Sequence, residues 1–447
     1  MRSSVVKIKK EERMKKLVII ALALFLALPV VSFAGSATSR WDMTIGGYVK
    51  VDWGWSDKGI GSDTFVAPRK SASVVGARER ADAEYGVMYA GVGETRLNFL
   101  VKGPDAWGAK TSAFVEFDFR GAGYGNVGSQ NAASTYDNAL IRHAFMNFDW
   151  ANDSLLVGKF WANYNLVPIP IILTAFNELG EAKNNRVTQI KWTHKFGKNL
   201  KTSLAFLAPT QDGMGRNGMD AYGVDSQYAR SMAPFLSGSV DFASDACGKI
   251  GTTKLAFGVS SLIGYTKETW DDPNNGRRIT DENVKSWGVA TYFTVPIIPE
   301  RNSNKAGAWG VAGGAKIDSN IQAINGPVIS VNSGAYGRGP AGVREVAPTW
   351  VAWWASTNFY FTDKVSLNAL YASTRLANGS QRYRTVNLAP APIQNDTYSL
   401  ILGYQVNPAI TLAAEATQIY TKYGNDAGTG SDRGKANVLR MGAWYYF

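Results

Sequence analysis

The last segment of the chain, residues 437–447, alternates strictly between two faces and ends on an aromatic residue. Counting back in twos from the C-terminus gives one unbroken apolar face: Phe447, Tyr445, Ala443, Met441 and Leu439. The opposite face includes Arg440 and Trp444. A period of two, with one face for lipid and one for water, is typical of a transmembrane β-strand of about ten residues. The pattern therefore predicts a β-sheet that lies in a membrane.

The N-terminus carries the pattern of an export signal. Lys15 and Lys16 precede an apolar stretch from Leu17 to Val31, and small residues lead up to Ala34. A membrane-spanning helix needs about 20 apolar residues, and this stretch is shorter. Its length and flanking residues are typical of a cleaved secretory signal. We expect residues 1–34 to be a signal peptide, with Met14 as an alternative start, and residues 35–447 to form one domain. A closed barrel is then the remaining way to satisfy the backbone in lipid.

Composition narrows the function classes. Residues 1–34 hold seven of the 47 Lys and Arg and two of the 36 Asp and Glu, so 40 basic and 34 acidic residues remain. No basic run survives to indicate a nucleic-acid partner. The single Cys247 and the absence of a haem-attachment motif predict no cofactor. With only two histidines and no nucleophile motif, we expect no enzyme activity.

The period of two predicts sixteen strands. The first strand alternates apolar residues such as Val49 and Trp53 with Lys50 and Asp52. The predicted strands are 41–53, 89–101, 108–120, 139–150, 154–161, 186–196, 199–208, 235–243, 253–264, 284–296, 306–318, 348–361, 365–376, 396–406, 409–423 and 437–447. Their connections alternate between long and short, as extracellular loops and periplasmic turns do in transmembrane barrels. Glycine and alanine make the apolar and polar faces of some predicted strands hard to distinguish, so a barrel of fourteen or eighteen strands is an alternative.

The third long connection differs from the others because it is apolar. It runs through Pro168 to Phe176 and then reaches Glu178 and Glu181. An exposed loop does not normally carry such a run. We expect it to fold inward against the barrel wall and to narrow the lumen. Packing against a neighbouring subunit or against other loops is the alternative.

Two further features bear on metal binding. The stretch 271–282 has some of the acidic residues of a calcium-binding loop, but Pro273 occupies a ligand position and no helices are predicted beside it. We expect an ordinary acidic surface loop there, with calcium binding left open. His143 and His194 have no ligand spacing and are expected to point outward or to lie at the interface. No metal site is predicted.

The chain resembles the trimeric general porins of Gram-negative bacteria. The resemblance rests on the sixteen strands, the signal peptide, the terminal Phe447, the apolar third loop and short phrases such as Val157-Gly158-Lys159-Phe160. It implies that basic wall residues oppose acidic residues of the third loop: Lys50, Arg96, Arg142 and Arg186 or Lys191 against Glu178 and Glu181. Arg440 shares their predicted water-facing parity. The ending in Tyr445 and Phe447 also resembles the signal that directs outer-membrane barrels to their insertion machinery.

The resemblance implies a homotrimer in the cell outer membrane, surrounded by lipid and lipopolysaccharide. Its implied function is passive diffusion of small hydrophilic solutes and ions, with a weak preference for anions. Two alternatives stay open on the sequence. One is a substrate-selective porin of the phosphate or oligosaccharide type, and the other is a barrel that sheathes a partner electron-transfer protein.

Overall fold

The computed structural model describes residues 42–60, 66–68, 85–121, 138–164, 186–208, 231–272, 276–321, 349–377, 392–423 and 433–447. Within these residues the chain forms seventeen β-strands. They are β1 (Asp42–Ser56), β2 (Val87–Gly91), β3 (Arg96–Lys102), β4 (Lys110–Gly121), β5 (Asn138–Asp149), β6 (Asp153–Trp161), β7 (Arg186–Phe196), β8 (Leu200–Leu207), β9 (Phe235–Ile250), β10 (Thr253–Asp272), β11 (Gly276–Ile298), β12 (Trp309–Ser319), β13 (Thr349–Tyr360), β14 (Val365–Leu376), β15 (Pro392–Asn407), β16 (Ile410–Tyr423) and β17 (Arg433–Tyr446).

Residues Met43–Phe447 form one compact unit. A second unit, Met1–Asp42, lies outside the described residues except for Asp42, and so does the predicted signal peptide. No helix among the described residues is long and apolar enough to cross a bilayer.

The sheet closes on itself. Successive strands pair antiparallel from β3 to β17, and β17 pairs back with β1. At the seam the Phe447 amide donates to the Gly47 carbonyl at 3.2 Å, and the Gly47 amide donates to the Phe447 carbonyl at 3.3 Å. Strands β2 and β3 both pair with β1 and are separated by a turn in which the Thr95 amide donates to the Val92 carbonyl. They form one interrupted barrel strand, so the predicted antiparallel barrel of sixteen strands is confirmed.

The two faces of the wall differ as the sequence predicted. Large apolar side chains point outward and are exposed, for example Val49, Phe257, Leu400, Leu439 and Met441. Side chains of the opposite parity point into the barrel and include most of the buried polar and charged residues. An apolar exterior around a polar interior is the arrangement that a barrel needs in lipid.

Seven short connections lie at one end of the barrel. They are 103–109, 150–152, 197–199, 251–252, 299–308, 361–364 and 408–409. Gly197 and Gly251 adopt φ angles of 68° and 60°, which a side chain disfavours, so glycine permits these tight reversals. The chain ends at the same rim, because β17 leads from the opposite rim to Phe447. The predicted alternation of short and long connections holds in most places, but β10 and β11 are separated only by 273–275, and 299–308 is about as long as 424–432 at the other rim.

One hairpin is longer than predicted. Strands β10 and β11 extend to Asp272 and from Gly276, with Asp271 opposite Arg277. The prediction of an acidic surface loop over 271–282 is therefore wrong, because residues 271–272 and 276–282 belong to strands. The described residues contain no group of His, Cys, Asp or Glu that could hold a metal ion. Strands that pass beyond lipid no longer need an apolar face, so the period-two pattern fades there.

Candidate functional site: the charged inner wall

The first cluster of inner-wall charges joins β1 to the turn between β2 and β3. The Lys50 ammonium pairs with the Glu94 carboxylate and lies 3.1 Å from the Asp52 carboxylate. Lys50 also lies over the Trp444 ring, 4.9 Å from its centroid. Its side chain is almost fully buried, so the two carboxylates compensate most of its charge.

The second cluster connects β3, β4 and β5. Arg142 Nε donates to Glu116 at 2.7 Å, and Arg142 Nη1 donates to Asp118 at 2.5 Å. Arg96 lies 3.9 Å from the same Glu116 carboxylate. Arg142 and Asp118 are both buried, with side-chain exposures of 2% and 0%. A fork-shaped guanidinium between two carboxylates gives strong, directional hydrogen bonds, so this part of the wall is held in one geometry.

A β-bulge places Arg142 inside the barrel together with His143. Glu116 pairs with His143 and Phe117 pairs with Ile141, so Arg142 has no residue opposite it. Two consecutive residues then share the inner face. The His143 side chain is buried, and its Nε2 lies 3.9 Å from the Glu116 carboxylate. The expectation that His143 points outward is therefore wrong, because a strict period of two does not hold across a bulge.

Two cations on β7, Arg186 and Lys191, lie over aromatic rings. Arg186 and Lys191 have no Asp or Glu within ion-pair distance among the described residues. Arg186 lies over the Trp161 ring at 4.9 Å, and Lys191 lies over the Phe160 ring at 5.2 Å. Arg186 also lies within electrostatic range of the cations Arg142 and Arg96 and of the acids Asp118 and Glu116, and Lys191 lies within range of Asp241. The three predicted arginines Arg96, Arg142 and Arg186 thus come together at the inner wall.

Aromatic rings line the wall beside these cations. Phe114 contacts Phe145 at 5.5 Å between centroids, Phe145 contacts Phe160 at 5.0 Å, and Phe160 contacts His143 at 4.8 Å. Gly158 lies opposite Phe145 with a φ of 138°, and a Cβ there would collide with the Ala144 carbonyl and the Phe145 backbone. This close approach of β5 and β6 lets the aromatic strip pack. Period-two counting did not single out these rings.

Further inner charges lie on other strands, among them the buried Asp241 on β9. Arg440 on β17 donates to Glu415 on β16 at 2.8 Å and to the Tyr89 hydroxyl oxygen at 3.1 Å. Lys316 and Asp318 on β12 form a buried pair at 3.2 Å. Arg440 points inward as predicted, and its charge is compensated by a wall residue.

The start of the third long connection lies against the inner wall. The Ser203 hydroxyl of β8 donates to the Asn163 side-chain oxygen at 2.8 Å, and the Ser237 hydroxyl of β9 donates to the Asn163 carbonyl at 2.5 Å. Tyr164 is fully buried in an apolar cluster with Phe235 of β9 and Leu262 of β10. Residues 162–164 therefore leave β6 toward the inner face of strands that are not its neighbours in the sheet.

The other residues considered from the sequence fall into three groups. Glu178, Glu181 and the apolar run 168–176 lie outside the described residues. Tyr445 and Phe447 lie on the outer face, 55% and 57% exposed, as the alternation predicted. His194 lies at the rim with the short connections, where it contacts Asp153 at 2.9 Å, which agrees with its predicted interfacial position.

Comparison with known proteins places the fold. No protein-family profile matches the chain, and no curated protein is significantly similar in sequence. The outer membrane channel DcaP of Acinetobacter baumannii is similar in structure, with a TM-score of 0.65 and 16% identity over 92% of this chain and 99% of that chain. An anion-selective porin from Comamonas acidovorans has a TM-score of 0.53 and 10% identity over 91% of this chain and all of that chain. The chain therefore has the fold of the outer-membrane porins.

Proposed function

We propose that this chain is an outer-membrane porin that lets small hydrophilic solutes and ions diffuse passively, with a modest preference for anions. The observation that carries the proposal is the closed barrel with an apolar exterior and an inner wall of buried ion pairs. A polar inner wall does not help a barrel to sit in lipid, but it can line a path for polar solutes across the bilayer. The proposed channel needs neither catalysis nor energy coupling.

The orientation follows from the connections. Short connections face the periplasm and long ones face the cell exterior in barrels of this kind. The chain terminus at Phe447 then lies on the periplasmic side, where the insertion machinery would engage Tyr445 and Phe447 as a signal. A homotrimer embedded in outer-membrane lipid and lipopolysaccharide is part of the same proposal.

The third connection is proposed to form the constriction. Asn163 and Tyr164 support this, because they already contact the inner face of β8, β9 and β10. Glu178 and Glu181 are proposed to lie at the narrow section. The wall itself also supplies acids, since Glu94, Glu116 and Asp118 pair with the cations there, and opposed charges at a constriction orient polar solutes.

The anion preference is proposed to come from Arg186 and Lys191. Lys50, Arg142 and Arg440 each have a carboxylate partner on the wall, so their fields largely cancel at a distance. Arg186 and Lys191 contact aromatic rings and form no ion pair with an acid among the described residues, although Asp118 and Asp241 lie within their electrostatic range. Two positive charges beside a polar path, neither held in an ion pair by the described wall residues, lower the energy of a passing anion and raise that of a cation.

A second candidate is a substrate-selective channel, and the aromatic strip favours it. Phe114, Phe145 and Phe160 form a continuous surface next to Arg186 and Lys191. Rings stack on the flat faces of sugars and aromatic acids, and the neighbouring cations would hold a carboxylate or phosphate. This candidate predicts saturable flux of an anionic ring-bearing solute, whereas a general porin shows flux proportional to concentration.

Liposome swelling tests the proposal. Purified protein in liposomes should admit neutral sugars at rates that fall steeply with their size, as expected for diffusion through a narrow pore. Heat-dependent electrophoretic mobility should show that the reconstituted barrel is folded. A folded barrel that admits none of the smallest sugars would contradict the proposed function.

A further inference from the structure

The inner face of β16 and β17 is apolar near the rim with the long connections. Ile419, Ala436 and Val438 form one buried cluster there. Their parity is that of Glu415 and Arg440, which point into the barrel. Along the wall this parity carries most of the buried polar and charged side chains, because it faces the lumen. An apolar patch on the inner face therefore needs a cover that keeps it from water.

The first long connection covers this patch. It turns inward directly after β1, where the Ile60 amide donates to the Lys58 carbonyl at 2.7 Å. Ile60 is 5% exposed and Ala67 is 0% exposed, and both side chains belong to the buried cluster of β16 and β17. We call residues 57–60 and 66–68 the ledge. The ledge lies inside the barrel, against the wall, rather than above its rim.

Wall side chains hold the ledge by its backbone. The Ala67 amide donates to Thr421 Oγ1 at 2.8 Å, and the Tyr423 hydroxyl donates to the Ala67 carbonyl at 2.7 Å. Gly434 lies opposite Thr421, and a Cβ at that glycine would collide with the carbonyl oxygens of Ala67 and Pro68. Both polar groups of the Ala67 backbone are therefore satisfied by the wall, at a place where glycine alone permits so close an approach.

A second apolar patch lies on the opposite side of the barrel. Tyr164, at the start of the third long connection, lies there in one buried cluster with Phe235 of β9 and Leu262 of β10. When β2 and β3 are counted as one strand, β9 is the eighth of sixteen strands and β17 is the sixteenth. The two patches are therefore half a turn apart, and both lie toward the rim with the long connections. A solute that enters from that rim has to pass between the ledge and residues 162–164.

We propose that the ledge is a size-limiting element of the channel, which narrows its entrance on the side opposite the third long connection. The inference rests on the proposed diffusion function and adds a second narrowing element to the one proposed there. Because the ledge is hydrogen-bonded to the wall at Ala67 and its Ile60 side chain is buried, it holds its position when a solute passes. A solute wider than the remaining gap is excluded at the entrance.

The width taken by the ledge follows from sheet geometry. Sixteen strands about 4.8 Å apart and tilted by about 40° form a barrel with a backbone diameter of about 32 Å. Inner side chains occupy about 5 Å on each side, half the distance between packed sheets, and leave about 22 Å. A peptide segment on each of two opposite walls takes about 5 Å more and leaves about 12 Å. Displacing the ledge alone widens the entrance to about 17 Å, which predicts a conductance about 1.4-fold higher.

Gly434→Val tests the proposal from the wall side. The new Cβ collides with the Ala67 and Pro68 carbonyls, so the ledge has to move, while valine itself suits a β-strand. Single-channel conductance should rise about 1.4-fold, and liposome swelling should admit larger sugars. The matched control is Gly91→Val on β2, at a position that lies opposite Asp52 and has open space around its Cβ. This control should not raise the conductance.

Ile60→Ser tests the same contact from the ledge side. It removes the apolar side chain that covers the patch and leaves the wall unchanged, so it should also raise the conductance and the size limit. Its matched control is Met232→Ser, which changes an apolar side chain that is 90% exposed just before β9. That control should conduct as the wild type does. Heat-dependent electrophoretic mobility shows whether each variant is folded.

Thiol labelling reports the position of the ledge independently of conductance. Cys247 is the single cysteine and is exposed, so the labelling variants also carry Cys247→Ser. Ala67→Cys should resist a membrane-impermeant maleimide in the folded barrel, because residue 67 is buried, and it should become reactive when Gly434→Val is added. Met232→Cys, at a 90% exposed position, should react with and without Gly434→Val.

The outcomes separate this inference from the proposed function. A thiol at residue 67 that reacts readily without Gly434→Val would refute the seated ledge. A Gly434→Val barrel with a reactive thiol at residue 67 but an unchanged conductance and size limit would refute the ledge as a size filter, and so would an Ile60→Ser barrel that conducts as the wild type does. In each of these cases a conducting wild type leaves the proposed function standing. A folded wild type that never conducts would refute the channel, and with it the role of the ledge, whatever the labelling shows.

Discussion

Replacing Arg186 and Lys191 together by Gln should abolish the anion preference of the channel. Lys191 has the parity of the buried Gln189, Arg186 lies within electrostatic range of the inner-wall residues Arg142 and Asp118, and both cations contact aromatic rings. The substitution removes two positive charges while keeping polar side chains of similar reach. The wild type should be mildly anion-selective, and the double variant should be close to non-selective.

The magnitude follows from Coulomb's law. An ion that passes roughly 7 Å from each charge interacts with it by about 0.6 kcal/mol in water, so two charges give about 1.2 kcal/mol. Salt at physiological strength has a screening length of about 8 Å and leaves about 0.5 kcal/mol. The same field favours an anion and disfavours a cation, so the difference between them is about 1 kcal/mol. This corresponds to a chloride-to-potassium permeability ratio of about five.

The assay is the zero-current potential across a planar bilayer in a salt gradient. The control variant replaces the exposed Lys195 and Lys198 at the periplasmic rim by Gln, which removes the same charge away from the proposed constriction. That control should keep the wild-type potential. If the double variant at Arg186 and Lys191 keeps it too, these residues do not set the selectivity. A cation-selective wild type would refute the reasoning altogether.

Three further predictions concern stability, assembly and size selection. Asp118→Asn should lower the free energy of unfolding by about 3 kcal/mol in detergent, because Arg142 then stays buried after losing one of its partners. The control Asp105→Asn, at an ion pair whose side chains are 80% and 56% exposed, should change that free energy by less than about 1 kcal/mol. Equal effects of the two variants would contradict the burial argument. Deleting Phe447 should reduce the amount of protein in the outer membrane, measured by fractionation, and normal amounts would argue against an insertion signal. Deleting residues 168–180 should raise single-channel conductance and admit larger sugars, and unchanged conductance through an intact barrel would exclude a constriction there.

The barrel was predictable because lipid enforces alternation. Every strand that crosses the membrane must turn an apolar side chain outward at each second residue. Strands such as β1 and β17 can therefore be recognised from the sequence alone. The same argument gave the inward parity of Lys50, Arg96, Lys191 and Arg440. The alternation argument fails where strands extend outside the lipid, as β10 and β11 do beyond their predicted ends.

The pairing of the inner charges was not predictable from the sequence. Arg142 and Asp118 are 24 residues apart, and only the register of β4 and β5 brings them together. The bulge that turns both Arg142 and His143 inward leaves no signal in a period-two count. The sequence placed the acidic partners on the third loop at Glu178 and Glu181, which the structure does not describe. The structure shows instead that wall residues such as Glu94 and Glu415 compensate much of the basic charge of the inner wall.

Current through a single barrel in a planar bilayer tests the central claim most directly. Purified, folded protein should insert in discrete steps, and the conductance of each step should rise in proportion to bulk salt concentration, as expected for ions diffusing through an aqueous pore. Deleting residues 168–180 should enlarge each step. Protein that inserts with the heat-dependent mobility of a folded barrel, yet leaves the bilayer without conductance steps, would contradict the claim that this chain forms a diffusion channel.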